Sequence, residues 1–263
     1  MTAACLAALW LGRKLASLPG NMWRVSVAVP LTVLVFTAVA LNFRQLYFVP
    51  PTSWLAGGTG RWISMSLSAS MLLGALSARV KKAGERRALF MLAGVVILRA
   101  GTLPFLGPVL SRHELETMST VMDGKGVCLQ STSYNCGPAS AVTALRRLGF
   151  AAEEGALGLL CKTDGISGTA DDIMAEKLAQ RYGPEGLIVE HRYVKSPDEL
   201  RSCPVSIAVI RYNFFTDHYV AVLGFDGDKV IVGDPLSGEE TLSVAEFEKS
   251  WRHVAIFLNR RPP

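Results

Sequence analysis

The chain has 263 residues, half of them hydrophobic, with 27 Lys and Arg against 22 Asp and Glu and a formal net charge of +5. That total joins two unlike parts: residues 1–111 hold 11 Lys and Arg against one acid, Glu85, a net +10, whereas residues 112–263 hold 16 basic and 21 acidic residues, a net −5. The positive balance therefore gives no reason to expect a nucleic-acid partner. The length fits one membrane module followed by one globular domain of about 150 residues.

The basic half is built from apolar runs, and a bilayer takes about 20 residues to cross as a helix. Val25 to Phe43 is the clearest span. Trp62 to Ala78 is a second, with small Ser, Ala and Gly residues suited to helix packing. Ala88 to Leu110 is a third, interrupted by Arg99, Gly101 and Pro104. Thr2 to Leu11 is as short as a signal-peptide core, but its charges, Arg13 and Lys14, follow the apolar run instead of preceding it, so it reads as a short first helix. Residues 1–111 are thus expected to be a membrane region of three or four transmembrane helices.

Arg79, Lys81, Lys82, Arg86 and Arg87 crowd the link between the second and third clear spans, and Arg13, Lys14 and Arg24 precede the first. Basic residues collect on the cytoplasmic side, so the third span runs outward and the domain after it is extracytoplasmic. A re-entrant 88–110 would return that domain to the cytoplasm. Arg99 is the residue that keeps this open, either as a functional intramembrane charge or as one that snorkels or faces other helices.

Residues 112–126, with Asp123-Gly124-Lys125-Gly126, read as a linker. The stretch Gln130-Ser131-Thr132-Ser133-Tyr134-Asn135-Cys136-Gly137-Pro138-Ala139-Ser140 then sets a cysteine at the start of a helix. Asn135 is a capping residue, Pro138 fits the first turn, and Gly149 ends the helix running from Ala139 to Leu148. Free backbone N–H groups and the positive end of the helix dipole favour a thiolate at Cys136.

Thr169 to Arg181 has helical periodicity with Thr169 as a candidate cap; Leu187 to Val194 alternates as a strand, and Ser196 starts a short helix. Val205 to Ile210 is a continuous β-branched run, consistent with a buried strand, and His253 to Leu258 is the last strand. Between them, His218 to Phe225 and Lys229 to Gly233 form a hairpin around Asp226-Gly227-Asp228. The hairpin makes His218 and Asp234 neighbours although they lie 16 positions apart. Gln130, six residues before Cys136, can offer its side-chain amide to an oxyanion beside the Cys136 N–H. The expected architecture is α+β, an N-terminal helical part packed on an antiparallel sheet with the cleft between them.

Gln, four residues, an Asp or Asn, then Cys-Gly-Pro-Ala, followed by His218-Tyr219-Val220-Ala221-Val222 and Asp234-Pro235 one hairpin later, resembles the C39 family of papain-like cysteine peptidases, which process double-glycine leaders of exported peptides. The resemblance covers Val127 to Leu258, within a domain of residues 127–263, and implies Cys136 as nucleophile, His218 as general base, Asp234 as its orienting carboxylate and Gln130 as the oxyanion residue. Position 135 is Asn where the family usually has Asp; and family members best known place this domain before a transporter and its ATPase, whereas here it follows apolar segments.

The leading expectation is a membrane-anchored cysteine peptidase, acting on a peptide or leader peptide and served by a separate ABC-type exporter, since no phosphate-binding Gly-Lys-Ser/Thr loop occurs. A non-catalytic peptide-binding module and acyl transfer on the same cysteine are the alternatives. Cys5, Cys128, Cys136, Cys161 and Cys203 make an odd set without regular spacing, so no disulfide framework is expected, although one bridge among Cys128, Cys161 and Cys203, or a redox role for Cys128, stays open. His113, His191 and His253 lack partners at metal-ligand spacing, so no metal and no cofactor are expected.

Overall fold

The computed structural model describes residues 1–213 and 216–262, and its elements fall into two units, Met1–Leu106 and Gly107–Pro263. The first unit is helical: α1 (Thr2–Ala16), α2 (Met22–Asn42), α3 (Thr52–Ala56), α4 (Gly58–Arg79) and α5 (Ala83–Gly101). After a break at Thr102 the chain continues as α6 (Leu103–Leu110), with Pro104 in its first turn, where a missing N–H is harmless.

Among the described helices α2 is long and apolar enough to cross a membrane, and a second span exists if α5 and the helical segment after it, bent by 45° from it, count as one. Val25, Val29, Leu31, Val35 and Val39 of α2 are exposed. α4 is equally long but buries Ser64, Ser66, Ser70 and Ser77, whose hydroxyls lower its hydropathy. Small residues serve a different purpose there: a Cβ on Gly74 would lie 2.0 Å from the carbonyl oxygen of Leu9, and one on Gly12 would lie 2.0 Å from that of Met71. α1 and α4 therefore meet backbone to backbone, which only glycine permits. Gly74→Leu is expected to push α1 away at a cost of ~1–3 kcal/mol, read as a lower Tm of the detergent-solubilised chain; an unchanged Tm would contradict this packing.

The second unit opens on α7 (Arg112–Glu116) and the hairpin of β1 (Val121–Met122) with β2 (Cys128–Leu129). Residues 112–126 are thus not a free linker. Leu115 is buried, and the Asp123 carboxylate accepts the N–H groups of Lys125 and Val127 at 2.8 and 2.7 Å, closing the hairpin turn. Three helices follow, α8 (Cys136–Arg147), α9 (Glu154–Leu160) and α10 (Asp171–Tyr182), and then β3 (Leu187–Tyr193), β4 (Val205–Arg211), β5 (Asp217–Asp226), β6 (Lys229–Asp234), β7 (Gly238–Ser243), α11 (Val244–Ser250) and β8 (Trp251–Arg260).

β3 to β8 form one antiparallel sheet in the order β3-β8-β4-β5-β6-β7. β4 and β5 sit at its centre, which is why both read as continuous apolar runs: Val205 to Val209 and His218 to Leu223 are buried throughout. One face packs Val220, Val222, Val230 and Val232 with Ala208 and Phe257 onto Phe247 and Trp251. α8, buried from Gly137 to Leu145, ties to the sheet where the Ser140 hydroxyl donates to the Tyr219 carbonyl at 2.9 Å. The architecture is the α+β arrangement read from the sequence, helices first and an antiparallel sheet after.

Two local expectations are corrected. Thr169 does not cap α10; Ala170 occupies that position, and the Thr169 hydroxyl bonds that of Thr163 at 2.8 Å. Asn135 stands at the N-cap of α8 but makes no side-chain cap bond: its Oδ1 is left without a partner among the described residues, and Pro138, third in the helix, has no N–H to donate.

Candidate active site

Cys136 is the first residue of α8 and is half-buried. The first hydrogen bond of the helix runs from the Ala139 N–H to the Asn135 carbonyl at 3.0 Å, so the N–H groups of Cys136 and Gly137 have no helical acceptor, and Pro138 has no N–H at all. Gly137 is required by close approach, since a Cβ there would lie 2.9 Å from the Thr169 side chain.

His218 enters from the start of β5, buried, and Asp234 from the end of β6. The hairpin closes through a tight turn in which Asp226 pairs with Lys229 and Gly227 takes φ +59°, a conformation glycine adopts without strain. His218 Nε2 and Asp234 Oδ1 are 2.8 Å apart. The Cys136 thiol lies within hydrogen-bonding reach of the same imidazole, and Nδ1 is the ring nitrogen that the Asp234 bond leaves available.

Burial pulls the imidazole's pKa down, but hydrogen bonds and charge from Asp234 and Cys136 outweigh it, and the result is a rise to about 9. Burial likewise pushes the Asp234 carboxyl up; the bond from His218, the Leu236 N–H at 2.8 Å and the imidazolium charge outweigh that and hold it below the usual carboxylate value. The His–Asp pair is thus set as imidazolium and carboxylate over the neutral range. Tyr212 packs beside His218, its ring centroid 5.8 Å from the imidazole.

Gln130 is brought to the same place by its backbone, whose N–H donates to the Pro235 carbonyl at 2.9 Å, next to Asp234. Its amide Nε2 donates to the Thr132 carbonyl at 2.7 Å, which fixes the side chain and uses one of its two N–H groups. His218 and Asp234 are thus brought into direct contact, and the Gln130 backbone lies beside Asp234-Pro235. All five cysteines are free thiols, so no bridge joins Cys128, Cys161 and Cys203. Burial pushes Cys128 and Cys161 up to about 12, which leaves them inert as thiols and removes the reason to give Cys128 a redox role.

The Asn135 Nδ2 donates to Glu154 Oε1 at 3.1 Å and to the Met118 sulfur at 2.8 Å. Glu154, fully buried, is a residue that nothing in the sequence singles out: in Ala151-Ala152-Glu153-Glu154 it reads as surface charge at the start of a helix.

A cysteine at a helix start, facing an imidazole oriented by a carboxylate across an antiparallel sheet, is the arrangement of papain-like cysteine peptidases. The chain belongs to the Peptidase C39 family, which its residues 125–263 match. Uncharacterized proteins of Methanothermobacter thermautotrophicus and Methanothermobacter marburgensis are 27% and 28% identical over 147 residues, 56% of this chain and 97% of each relative. Among solved structures, the peptidase domain of Streptococcus ComA, a bi-functional ABC transporter of a quorum-sensing pathway, is 21% identical, covers 54% of this chain and 98% of that one, with a TM-score of 0.45. A double glycine motif protease from an AMS/PCAT transporter, solved in complex with its leader peptide, is 23% identical, covering 55% of this chain and all of that one at a TM-score of 0.42.

Proposed function

We propose that this chain is a membrane-anchored cysteine peptidase that cleaves an exported peptide after a double-glycine leader. The observation that carries the reading is the His218–Asp234 pair, with Nε2 to Oδ1 at 2.8 Å, and the Cys136 thiol in reach of the same imidazole. The Cys136 thiolate attacks the scissile carbonyl carbon, forming a C–S bond and an oxyanion held by the free N–H of Gln130's amide and the Cys136 backbone N–H. The C–N bond breaks as the His218 imidazolium protonates the leaving amine. Neutral His218 then takes a proton from water, which attacks the thioester and releases a free carboxylate, returning thiolate and imidazolium.

Double glycine would suit a cleft too narrow before the scissile bond to admit side chains. The apolar α2, with Val25, Val29 and Val35 exposed, supports the anchor, and the basic link of Arg79, Lys81, Lys82, Arg86 and Arg87 supports a cytoplasmic placement of that link, with the peptidase domain extracytoplasmic. A separate ABC-type exporter would deliver the substrate.

The test is incubation of the full chain in lipid nanodiscs with a synthetic peptide carrying Gly-Gly before the scissile bond, in oxygen-18 water. A new carboxylate with one heavy oxygen is expected. A new amide bond would point to acyl transfer, and binding without a product to a peptide-binding module; either would overturn the peptidase reading.

A further inference from the structure

We infer that Glu154 is a positioning residue for the oxyanion side of this site, an inference that rests on the proposed peptidase function. Glu154 begins α9, eighteen residues beyond Cys136 in the chain, and its side chain is wholly excluded from solvent. A buried carboxyl group is retained only where its oxygens are hydrogen-bonded, and among the described residues its three donors all come from one loop. Oε1 accepts the Ser131 backbone N–H at 2.9 Å and the Asn135 Nδ2 at 3.1 Å, while Oε2 accepts the Ser131 hydroxyl at 2.7 Å.

Those donors lie at the two ends of the loop Ser131–Asn135. Ser131 follows Gln130 directly, and Asn135 directly precedes Cys136. One carboxyl group therefore fixes the separation of the two residues proposed to hold the oxyanion, without touching the substrate itself. The Glu154 backbone N–H donates to the Thr120 hydroxyl at 2.8 Å, which anchors the clamp to the chain just before β1. The Asn135 Nδ2 serves the Glu154 contact while its Oδ1 makes no cap bond; Pro138, third in the helix, has no N–H to offer it.

Without the clamp, Gln130 and the Cys136 N–H lose their mutual register. A misplacement of about 1 Å in such a site costs up to about 100-fold in rate. The effect falls on the transition state, where the oxyanion forms, so kcat drops while KM holds. Glu154→Gln keeps the geometry, because its Oε1 still accepts from Ser131 and Asn135 and its Nε2 donates to the Ser131 hydroxyl, which reverses its role. Glu154→Ala removes all three contacts.

The experiment measures kcat and KM of the full chain in nanodiscs on the synthetic Gly-Gly peptide for wild type, Glu154→Ala, Glu154→Gln, Gln130→Ala and the Glu154→Ala/Gln130→Ala double variant, with iodoacetamide labelling of Cys136 as a check on fold and nucleophile. Expected are a kcat loss of about 10- to 100-fold in Glu154→Ala with KM within twofold, labelling preserved, and activity in Glu154→Gln within about threefold of wild type. The double variant should lose no more than Gln130→Ala alone, because Glu154 acts through the same oxyanion contact. Independent, multiplying losses in the double variant, or an undiminished kcat in Glu154→Ala, overturn the inference. If Glu154→Ala alters labelling, Glu154→Asp decides instead: it keeps the buried charge but shortens the side chain by one methylene, drawing the carboxylate back from Ser131 and Asn135, and an unchanged kcat overturns the inference. A wild-type chain that cleaves nothing overturns the proposed function and this inference together, whereas an active wild type with an indifferent Glu154→Ala overturns this inference alone.

Discussion

Cys136→Ala is expected to abolish turnover of the Gly-Gly peptide, a loss of at least about 10⁴-fold, while the chain remains folded. The two halves of that expectation have separate causes. Turnover fails because no other group at the site can form the thioester; Cys128 and Cys161 are buried, with their thiols pushed up to about 12, and cannot substitute. Folding persists because a half-buried thiol sulfur contributes little packing, less than about 1.5 kcal/mol. The substitution has a spectroscopic consequence as well. The bond and charge from Cys136 both raise the His218 pKa, so removing them should move its titration below about 9. Residual turnover in Cys136→Ala, or a His218 titration that stays where it was, would each contradict the assigned roles.

His218→Ala carries the second large effect, on activity and on stability in a pH-dependent way. Without the imidazole, neither activation of the thiol nor protonation of the leaving amine proceeds, and a fall of about 10³- to 10⁴-fold in kcat is expected. Stability follows from linkage. The folded His218 pKa of about 9 exceeds its unfolded value of 6.5, so its contribution is fully present below about 6.5 and disappears as pH rises through 9. The depressed Asp234 works in the opposite sense: its contribution is present above its unfolded value of 3.8 and is lost as pH falls below it. Together they place the pair's greatest stabilisation, on the order of 3 kcal/mol, between about pH 4 and pH 6.5. The Tm difference between wild type and His218→Ala should therefore be widest near pH 5.5 and close by pH 9.5. A difference that grows with pH would mean that the imidazole is neutral in the folded chain.

How much of this was legible in the sequence depends on the range over which each residue acts. Helix α8 was readable from Pro138 and Gly149, which act within one turn, and the hairpin from Asp226-Gly227-Asp228, whose geometry is local. A hairpin brings its strand ends together, so His218 and Asp234 read as neighbours, whereas the bulge between Val222 and Gly224 that shifts the register is not legible. β4 and β5 declared their central place in the sheet by continuous apolar runs. What could not be read were side chains whose partners lie on other elements. Asn135 has the chemistry of a cap, but its Nδ2 is turned to Glu154 and its Oδ1 caps nothing, and Thr169 is taken by Thr163. Residues 112–126 look like a linker because their turn signals are local, whereas the burial of Leu115 against α9, where it fills the space beside Gly155 and Gly158, is not. The helices of the first unit show the same limit: buried serines on α4 blur the hydropathy that makes α2 plain.

The measurement that bears most directly on the central claim is iodoacetamide labelling of the intact chain as a function of pH, read at each cysteine by mass spectrometry, with and without His218→Ala. A cysteine paired with a protonated imidazole reacts well below pH ~8.5, where ordinary thiols begin to ionise. Cys136 is expected to be labelled at pH values where the other cysteines are not, and that labelling is expected to be lost in His218→Ala. If Cys136 reacts only in the alkaline range, alongside Cys203 and indifferent to His218, no ion pair exists at the site and the chain is not a cysteine peptidase.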